Sequence, residues 1–518
     1  MTDQSAFKAT IDAGYAFQGD SFPLGCAMLE GKPLKGTWVR LPLQTLNRHG
    51  LVAGATGTGK TKTLQVLAEG LSDASVPVLM MDIKGDLSGM AAAGTVSDRV
   101  QSRVDLTGIP WQPAAYPVEL LSLSHEPGVR LRSTIIEFGP ILLSKILGLN
   151  ETQEGIVSLI FKYCDDQQMP ILDLKDFIKV LQFVGNEGRK ELEGQYGKIS
   201  TATTGTILRK VVELQQQGAD SFFGELSFDV EDLMRIAPDG RGVIHMLRLS
   251  DMQNRPKLFS TFMLGLLAEL YATLPEEGDL DRPKLVLFID EAHLVFQEAT
   301  AALLQQMETV IKLIRSKGVG IFFCTQNPQD IPAPVLSQLG LKVQHALRAF
   351  TAADRKAIRT AAENYPESGY YQVDALMTQL GIGEALVTML NEQGIPTPLV
   401  HTCLRPPSSR MGTLSNEEIL SLVASSPLVS KYDRALDIHS AYEMLSEKLQ
   451  QRANSSDDPE RTLRSGGSTR KEPTTLENIL ESPVARQVGR TAASILTRSL
   501  LGALGFTSRP RKRGSSLF

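Results

Sequence analysis

Cysteine is scarce in this sequence of 518 residues. The four cysteines stand apart, with no Cys-x-x-Cys pair and no histidine at the spacing of a metal site. Their isolation argues against a disulfide framework and against a metal held by cysteines. We interpret them as small buried hydrophobic residues in a reducing compartment. They are Cys26, Cys164, Cys324 and Cys403.

Long apolar runs are also missing. The N-terminal residues 1–5 have neither the positive charge nor the apolar stretch of a signal peptide. The best apolar helix, Leu258 to Leu274, is interrupted by Glu269 and is too short to cross a bilayer comfortably. These observations lead us to expect a cytoplasmic protein.

Positive charge is not in excess. Lysine and arginine number 53 against 58 acidic residues, which gives a net charge of −5. This balance argues against wholesale coating of nucleic acid, but a basic channel inside an acidic particle stays compatible with it. The hydrophobic content of 42% and the charged content of 21% are those of a globular protein.

The strongest feature of the sequence is a P-loop. The pattern is glycine, four residues, glycine, lysine and a hydroxyl residue, and it lies between a short apolar strand and an amphipathic helix. Backbone N–H groups of such a loop and the positive end of the helix bind the phosphates of a nucleoside triphosphate. We expect the lysine to reach the β- and γ-phosphates and the threonine hydroxyl to hold Mg²⁺. The residues are Gly54, Ala55, Thr56, Gly57, Thr58, Gly59, Lys60 and Thr61.

Three further strands are predicted to end in polar residues. Asp82 ends the strand 76–82, either as a carboxylate at the ligand edge of the sheet or as a helix cap, and both interpretations stay open. The apolar run 285–289 ends in Asp290 and Glu291, as a Walker B strand does. Asp290 is predicted to hold the Mg²⁺ shell and Glu291 to activate the attacking water. Gln326, at the tip of the next strand, either senses the γ-phosphate or is simply solvated.

The chain order predicts an α/β fold: a RecA-like P-loop NTPase core with a helical insertion and a C-terminal helical extension. We expect a short strand over 36–41 in the lead-in and a longer one over 129–138 in the first part of the core. The predicted segments are a lead-in over 1–47, the first part of the core with the P-loop over 48–138, the helical insertion over 139–233, the second part of the core with the Walker B strand and sensor over 234–405, C-terminal helices over 406–453, a linker over 454–475, and a basic amphipathic helix with a basic tail over 476–518.

Four motifs together resemble the HerA/FtsK superfamily, and within it most closely bacterial HerA-like proteins of the YjgR type. The letters Asp-Glu-Ala-His at 290–293 also match DEAH-box helicases, but the long separation from Lys60 and the lack of a second core series argue against that family. The motifs lie at 49–61, 82–89, 288–293 and 325–332.

The resemblance implies a hexameric ring ATPase that moves DNA or protein through a central pore. It assigns Lys60 and Thr61 to Walker A, Asp290 and Glu291 to Walker B, and Gln326 to the sensor. Arg315 matches the arginine finger that reaches a neighbouring subunit's ATP, and Arg348 is a second candidate. Because Arg315 comes just before the strand that delivers Gln326, we expect its region to border the nucleotide face of the core.

Some family features have no counterpart in the sequence. The lead-in leaves little room for the N-terminal β-barrel with which HerA docks a nuclease, and the membrane spans of FtsK are not seen. The favoured function is therefore an ATP- and Mg²⁺-dependent DNA translocase. The expected partners are further copies of the chain in a hexameric ring, double-stranded DNA, and a nuclease or another protein. A protein remodeller or switch stays open as an alternative, as does a scaffold ATPase that contacts a membrane surface through 476–518.

Overall fold

The computed structural model describes residues 3–252, 255–278, 280–296, 301–433 and 439–456. These residues fall into two compact units, each described by itself below. The first unit comprises Met1–Arg132, Gln217–Phe222 and Leu226–Ala435, and the second comprises Ser133–Gln216, Phe223–Glu225 and Leu436–Phe518.

The first unit is built on one sheet, which has twelve strands in the described residues. From edge to edge the order is β2-β1-β12-β11-β10-β3-β9-β8-β4-β7-β5-β6. The strands are β1 Ser21–Leu29, β2 Lys32–Pro42, β3 Gly50–Ala53, β4 Val78–Asp82, β5 Val118–Ser122, β6 Val129–Arg130, β7 Ile244–Arg248, β8 Leu285–Ile289, β9 Val319–Thr325, β10 Leu341–Gln344, β11 Glu384–Thr388 and β12 Val400–Leu404.

Pairing is parallel from β10 through β6 and antiparallel from β10 back to β2. The strand β3 lies between β10 and β9, with Ala53 opposite both Gln344 and Thr325. Because these three strands run the same way, the segments that follow them meet at one edge of the sheet. The central strands are buried on both faces, which explains their continuous apolar sequences.

Helices cover the sheet of the first unit and form most of the second. The helices in the described residues are α1 Gln4–Gly14, α2 Lys60–Asp73, α3 Asp98–Thr107, α4 Ile135–Ile146, α5 Glu151–Asp166, α6 Leu174–Gly185, α7 Arg189–Tyr196, α8 Thr201–Gln216, α9 Pro256–Thr273, α10 His293–Phe296, α11 Ala301–Ile314, α12 Ala333–Leu336, α13 Ala352–Ala362, α14 Val373–Gln379, α15 Asn416–Ala424, α16 Pro427–Tyr432 and α17 Ala441–Ser456.

The second unit is helical, with α4 to α8 followed much later in the chain by α17. Asp176 at the start of α6 joins the two segments, because its Oδ1 accepts hydrogen bonds from Ser440 Oγ at 2.5 Å and from the Tyr442 N–H at 2.9 Å. The ring of Tyr163 on α5 stacks against Phe183 on α6, at 6.1 Å between centroids. The domain boundaries drawn from the sequence stay a proposal.

Two strand predictions differ from the structure. The predicted strand 129–138 is wrong: β6 ends at Arg130 and α4 begins at Ile135. The helix starts there because Thr134 and Glu137 form a reciprocal capping box that satisfies the first backbone N–H groups. The predicted strand 36–41 is part of the longer β2, whose partner β1 was not predicted. The predicted helix over 484–504 lies outside the described residues.

The apolar helix predicted around 258–274 corresponds to α9, which buries many of its leucine and phenylalanine side chains. Among the described residues, no helix combines the length and the apolar character needed to cross a membrane.

Candidate nucleotide site

The P-loop joins β3 to α2 and is held by both neighbouring strands. The Gly54 N–H donates to Thr325 O at 3.2 Å, and the Ala55 N–H donates to Ala346 O at 2.8 Å. Gly54 has φ 155°, and a Cβ built on it would lie 2.4 Å from His345 Cβ. Only glycine fits this position, because a side chain would meet both backbone strain and a clash.

Lys60 folds back over the loop. Its Nζ donates to Gly54 O at 2.6 Å and to Ala55 O at 3.2 Å, and burial lowers the pKa of its ammonium group. The Thr58 hydroxyl donates to Ala55 O at 2.7 Å and braces the loop from within. The ammonium group therefore lies at the start of α2, where the helix dipole also favours an anion.

The two carboxylates that follow β8 are buried and share one cation. Lys84 Nζ lies 2.5 Å from Glu291 Oε1 and 4.0 Å from Asp290 Oδ2. His293 Nδ1 is 3.2 Å from Glu291 Oε2. Burial raises the pKa of Asp290, whereas at Glu291 the opposing effect of burial is outweighed by the ion pair with Lys84, so its pKa is lowered. Glu291 is therefore ionised and held by Lys84.

The Glu291 backbone is strained as well as buried, since its φ is 45°. Non-glycine residues rarely adopt this conformation, and it occurs most often where a site depends on it. Glu291 directly follows the turn residue Asp290 at the end of β8, and its side chain contacts Lys84.

In the structure, the Asp82 carboxylate contacts the turn that follows β4. It accepts hydrogen bonds from the N–H groups of Gly85 at 2.7 Å, Asp86 at 3.2 Å and Leu87 at 3.1 Å. Asp82 therefore acts as a cap for the turn. The turn carries two further residues that contact the site: Lys84 pairs with Glu291, and Asp86 accepts a hydrogen bond from Thr61.

Asp86 is a site residue that the sequence interpretation missed. Its Oδ2 accepts a hydrogen bond from Thr61 Oγ1 at 3.2 Å, and its buried Oδ1 has no hydrogen-bond partner among the described residues. An unpaired buried carboxylate oxygen is costly, and a bound cation is one way to satisfy it. The available signal was its place beyond a buried strand, next to a Lys-Gly turn.

Gln326 and Arg348 lie on the same edge of the sheet as the P-loop. Gln326 directly follows β9, and its Oε1 accepts a hydrogen bond from Thr56 Oγ1 at 3.3 Å. Arg348 is exposed and lies two residues beyond Ala346, whose carbonyl accepts the Ala55 N–H. Gln326 therefore contacts the loop directly, whereas Arg348 belongs to the segment that contacts it.

Arg315 lies at the amino-terminal ends of the strands, whereas the P-loop lies at their carboxyl ends. This corrects our expectation that its region borders the nucleotide. Arg315 follows α11 and precedes β9. The pKa of His49, which precedes β3, is lowered mainly by burial and further by the charge of Arg315. The seven residues of β9 separate it from the Gln326 edge, a span of roughly 23 Å at ~3.3 Å per residue. Arg315 therefore does not reach the P-loop of its own chain.

A family model for the helicase HerA-like C-terminal region matches residues 28–509. The chain belongs to this family. The predicted resemblance to the HerA/FtsK superfamily is thereby confirmed, while the finer assignment to the YjgR type stays a prediction.

Similar proteins include two that are named DNA double-strand break repair helicase HerA. The one from Sulfurisphaera tokodaii is 23% identical over 356 residues, which are 67% of this chain and 64% of that protein. The one from Saccharolobus solfataricus is 20% identical over 362 residues, which are 68% of this chain and 64% of that protein. This HerA-like chain thus matches less than two thirds of the length of these curated relatives.

Among solved structures, the unbound bacterial conjugative coupling protein TrwBdeltaN70 has a similar fold. The match has a TM-score of 0.50 at 15% identity and covers 79% of this chain and 94% of that one. The predicted α/β fold with a P-loop NTPase core is confirmed.

The residues of this HerA-like site fit Mg²⁺ and a nucleoside triphosphate. The loop around Gly54 leaves no room for a side chain. Lys60 donates to two loop carbonyls, which a phosphate can replace as acceptors. Thr61, Asp86 and Asp290 supply the oxygen ligands that Mg²⁺ prefers.

Proposed function

We propose that this chain is a Mg²⁺-dependent ATPase that works as a ring-forming DNA translocase. One observation carries the proposal: the P-loop, the buried pair Asp290 and Glu291, and Gln326 converge at one edge of the sheet. Binding, charge neutralisation and activation of water are thus available around one phosphate.

In this mechanism the N–H groups of the P-loop and Lys60 bind the β- and γ-phosphates. Thr61 and Asp290 would hold Mg²⁺, with Asp86 as a third oxygen donor. When bound, the ion neutralises charge on the phosphate oxygens. Glu291 accepts a proton from the attacking water once its oxygen is released from Lys84, and Gln326 orients that water.

The substrate we propose is double-stranded DNA. Support comes from the names of the relatives, DNA double-strand break repair helicases, and from membership of the HerA-like family. Hydrolysis coupled to DNA contacts should be stimulated by duplex DNA and should weaken as salt rises, because phosphate contacts release counterions.

The ring is part of the same proposal, and Arg315 is its test. Because Arg315 precedes β9, at the ends of the strands away from its own P-loop, an arginine finger at this position would serve the ATP of another copy. Arg348 is the alternative finger, since it lies on the nucleotide edge. Arginine fingers supplied by a partner contribute on the order of a thousandfold in rate.

A mixing experiment separates these arginines. Arg315→Ala should bind ATP and hydrolyse it very poorly, and adding Lys60→Ala protein should restore part of the activity through mixed interfaces. If co-assembled mixtures stay inactive, or if Arg315→Ala alone is active, Arg348 becomes the candidate.

Several finer features belong to the proposal as well: the hexameric state, a nuclease or other protein partner, contact of 476–518 with a membrane surface, and a cytoplasmic location. The segment 476–518 lies outside the described residues. Its role can be tested by deleting it and measuring mass in solution, DNA affinity and liposome binding.

The proposed activity is tested by two site variants and a control. Lys60→Ala should abolish hydrolysis, since it removes charge from the bound phosphate. Glu291→Gln should bind ATP and retain it, because the base is lost and the metal ligands remain. Lys62→Ala is the control, since its Nζ donates to Met411 O. Wild-type turnover by Glu291→Gln would refute the assignment of the base.

A further inference from the structure

Two cysteines far apart in the chain face each other across neighbouring strands. Cys26 on β1 and Cys403 on β12 are direct partners in an antiparallel ladder. Directly opposed residues of such ladders have Cα atoms about 4.5 or 5.5 Å apart, depending on the kind of pair, and both separations lie in the range that a disulfide spans. Both residues are reduced and buried.

The environment of this pair favours a thiolate at Cys403. Arg103 on α3 donates from Nη1 to Cys403 Sγ at 2.9 Å. Hydrogen bonding from Cys26 and the charge of Arg103 hold the pKa of Cys403 below its ordinary value, although burial acts in the opposite direction. Burial instead raises the pKa of Cys164 and Cys324. Within the pair, the contact with Arg103 marks Cys403 as the sulfur that attacks first.

Arg103 also connects the pair to the P-loop. Its Nη2 donates to Ile382 O at 2.9 Å, and its Nη1 lies 3.4 Å from Gly383 O. The Gly383 N–H in turn donates to Thr58 O in the P-loop at 3.0 Å. One guanidinium group thus bridges the thiol pair and the loop that buttresses the nucleotide site.

We propose that Cys26 and Cys403 form a peroxide-sensitive pair, and that their oxidation to a cross-strand disulfide loosens nucleotide binding through Arg103. The second half of this inference rests on the proposed function. It assigns a modification site to residues that take no part in hydrolysis.

The chemistry balances with hydrogen peroxide as the oxidant. The Cys403 thiolate attacks one peroxide oxygen, the O–O bond breaks, and the product is a sulfenic acid, with hydroxide leaving as water after it takes up a proton. The Cys26 sulfur then attacks the Cys403 sulfur, which forms the S–S bond and releases a second water. Overall, two thiols are oxidised by two electrons and one peroxide is reduced to two waters.

Oxidation removes the anionic acceptor of Arg103. The charge-assisted hydrogen bond from Arg103 to Cys403 Sγ is then lost. The hydrogen bonds from the same guanidinium group to Ile382 O and Gly383 O weaken as a result. The contact from Gly383 to Thr58 loosens with it. We expect nucleotide affinity to fall roughly tenfold, the size of one net hydrogen bond.

The first test maps the disulfide in the full-length protein. Reduced protein is treated with hydrogen peroxide, quenched with an alkylating agent and digested, and the linked peptides are identified by mass spectrometry. We expect one peptide that joins Cys26 to Cys403, reversed by dithiothreitol and absent in Cys26→Ser. Cys164→Ser, which removes a buried cysteine of the helical unit, is the matched control and should still form it. Absence of the linked peptide in wild type would overturn the proposal.

The second test measures the Kd of a fluorescent ATP analogue before and after oxidation. Wild type should lose roughly tenfold in affinity, and Cys26→Ser and Arg103→Gln should show no change on oxidation. An oxidised wild type with unaltered affinity, or an Arg103→Gln protein that responds like wild type, would overturn the coupling. Failure of the reduced wild type to bind the analogue would refute the proposed function instead, and the disulfide map would stand independently of it.

Discussion

Lys84 is the site residue whose removal should have the most distinctive effect. It is the cation nearest to two buried carboxylates, with Asp290 4% and Glu291 6% exposed. Removing one partner of a fully buried ion pair costs about 3–5 kcal/mol. Because the Lys84 side chain is 33% exposed, solvent screens part of that loss, and we expect Lys84→Met to cost about 2 kcal/mol.

A matched variant separates this effect from the loss of any lysine. The Lys284 side chain is also 33% exposed and pairs with Glu277, whose side chain is 24% exposed. Lys284→Met should therefore cost less than about 1 kcal/mol. The assay is urea unfolding of both variants with and without Mg²⁺. Mg²⁺ should stabilise Lys84→Met more than wild type, because the Lys84 ammonium group then no longer competes with Mg²⁺ for Asp290 and Glu291. Equal losses in the two variants, or no preferential rescue by Mg²⁺, would refute the reasoning.

Two further predictions concern the buried His49 and the tightly packed Gly54. The His49 Nε2–H donates to Ile311 O at 2.8 Å and its Nδ1 accepts the Ile321 N–H at 3.0 Å, and burial lowers its pKa to about 4. Its folded pKa is below the unfolded value of about 6.5, so its stabilising contribution is full above pH 6.5 and falls toward pH 4. The free energy of unfolding in urea should therefore be roughly 2 kcal/mol lower at pH 5 than at pH 7 because of this group. His49→Gln should lose this difference, and the exposed His125→Gln should keep it. Gly54→Ala should abolish binding of an ATP analogue. At Gly57 a Cβ would meet no atom within 4 Å, so Gly57→Ala should weaken binding only through backbone strain. Equal affinities of the two variants for the analogue would contradict the assigned clash at Gly54.

Sequence alone was sufficient for the P-loop and for the strands around it. The spacing of Gly54, Gly59 and Lys60 predicts a phosphate-binding loop, and buried parallel strands have continuous apolar sequences. The carboxylates after β8 could be predicted for the same reason, since their strand is read from its apolar run.

Other parts of the site depend on pairing between distant segments, which local patterns do not encode. Lys84 and Asp86 reach the site only because Asp82 caps the turn that carries them. Arg315 was expected beside the nucleotide because few residues separate it from Gln326, yet those residues form β9 and carry the chain across the sheet. The pairing of Cys26 with Cys403 likewise requires knowing that β1 adds to β12.

The central claim is that this HerA-like chain is a DNA-driven ATPase, and the most direct measurement is its rate of ATP hydrolysis in Mg²⁺ with and without duplex DNA across a salt series. The account predicts hydrolysis that requires Mg²⁺, is stimulated by duplex DNA, loses that stimulation as salt rises, and is absent in Lys60→Ala. Hydrolysis that ignores DNA at every salt concentration would contradict the translocase assignment and favour a protein substrate. No hydrolysis by wild type under any of these conditions would contradict the account as a whole.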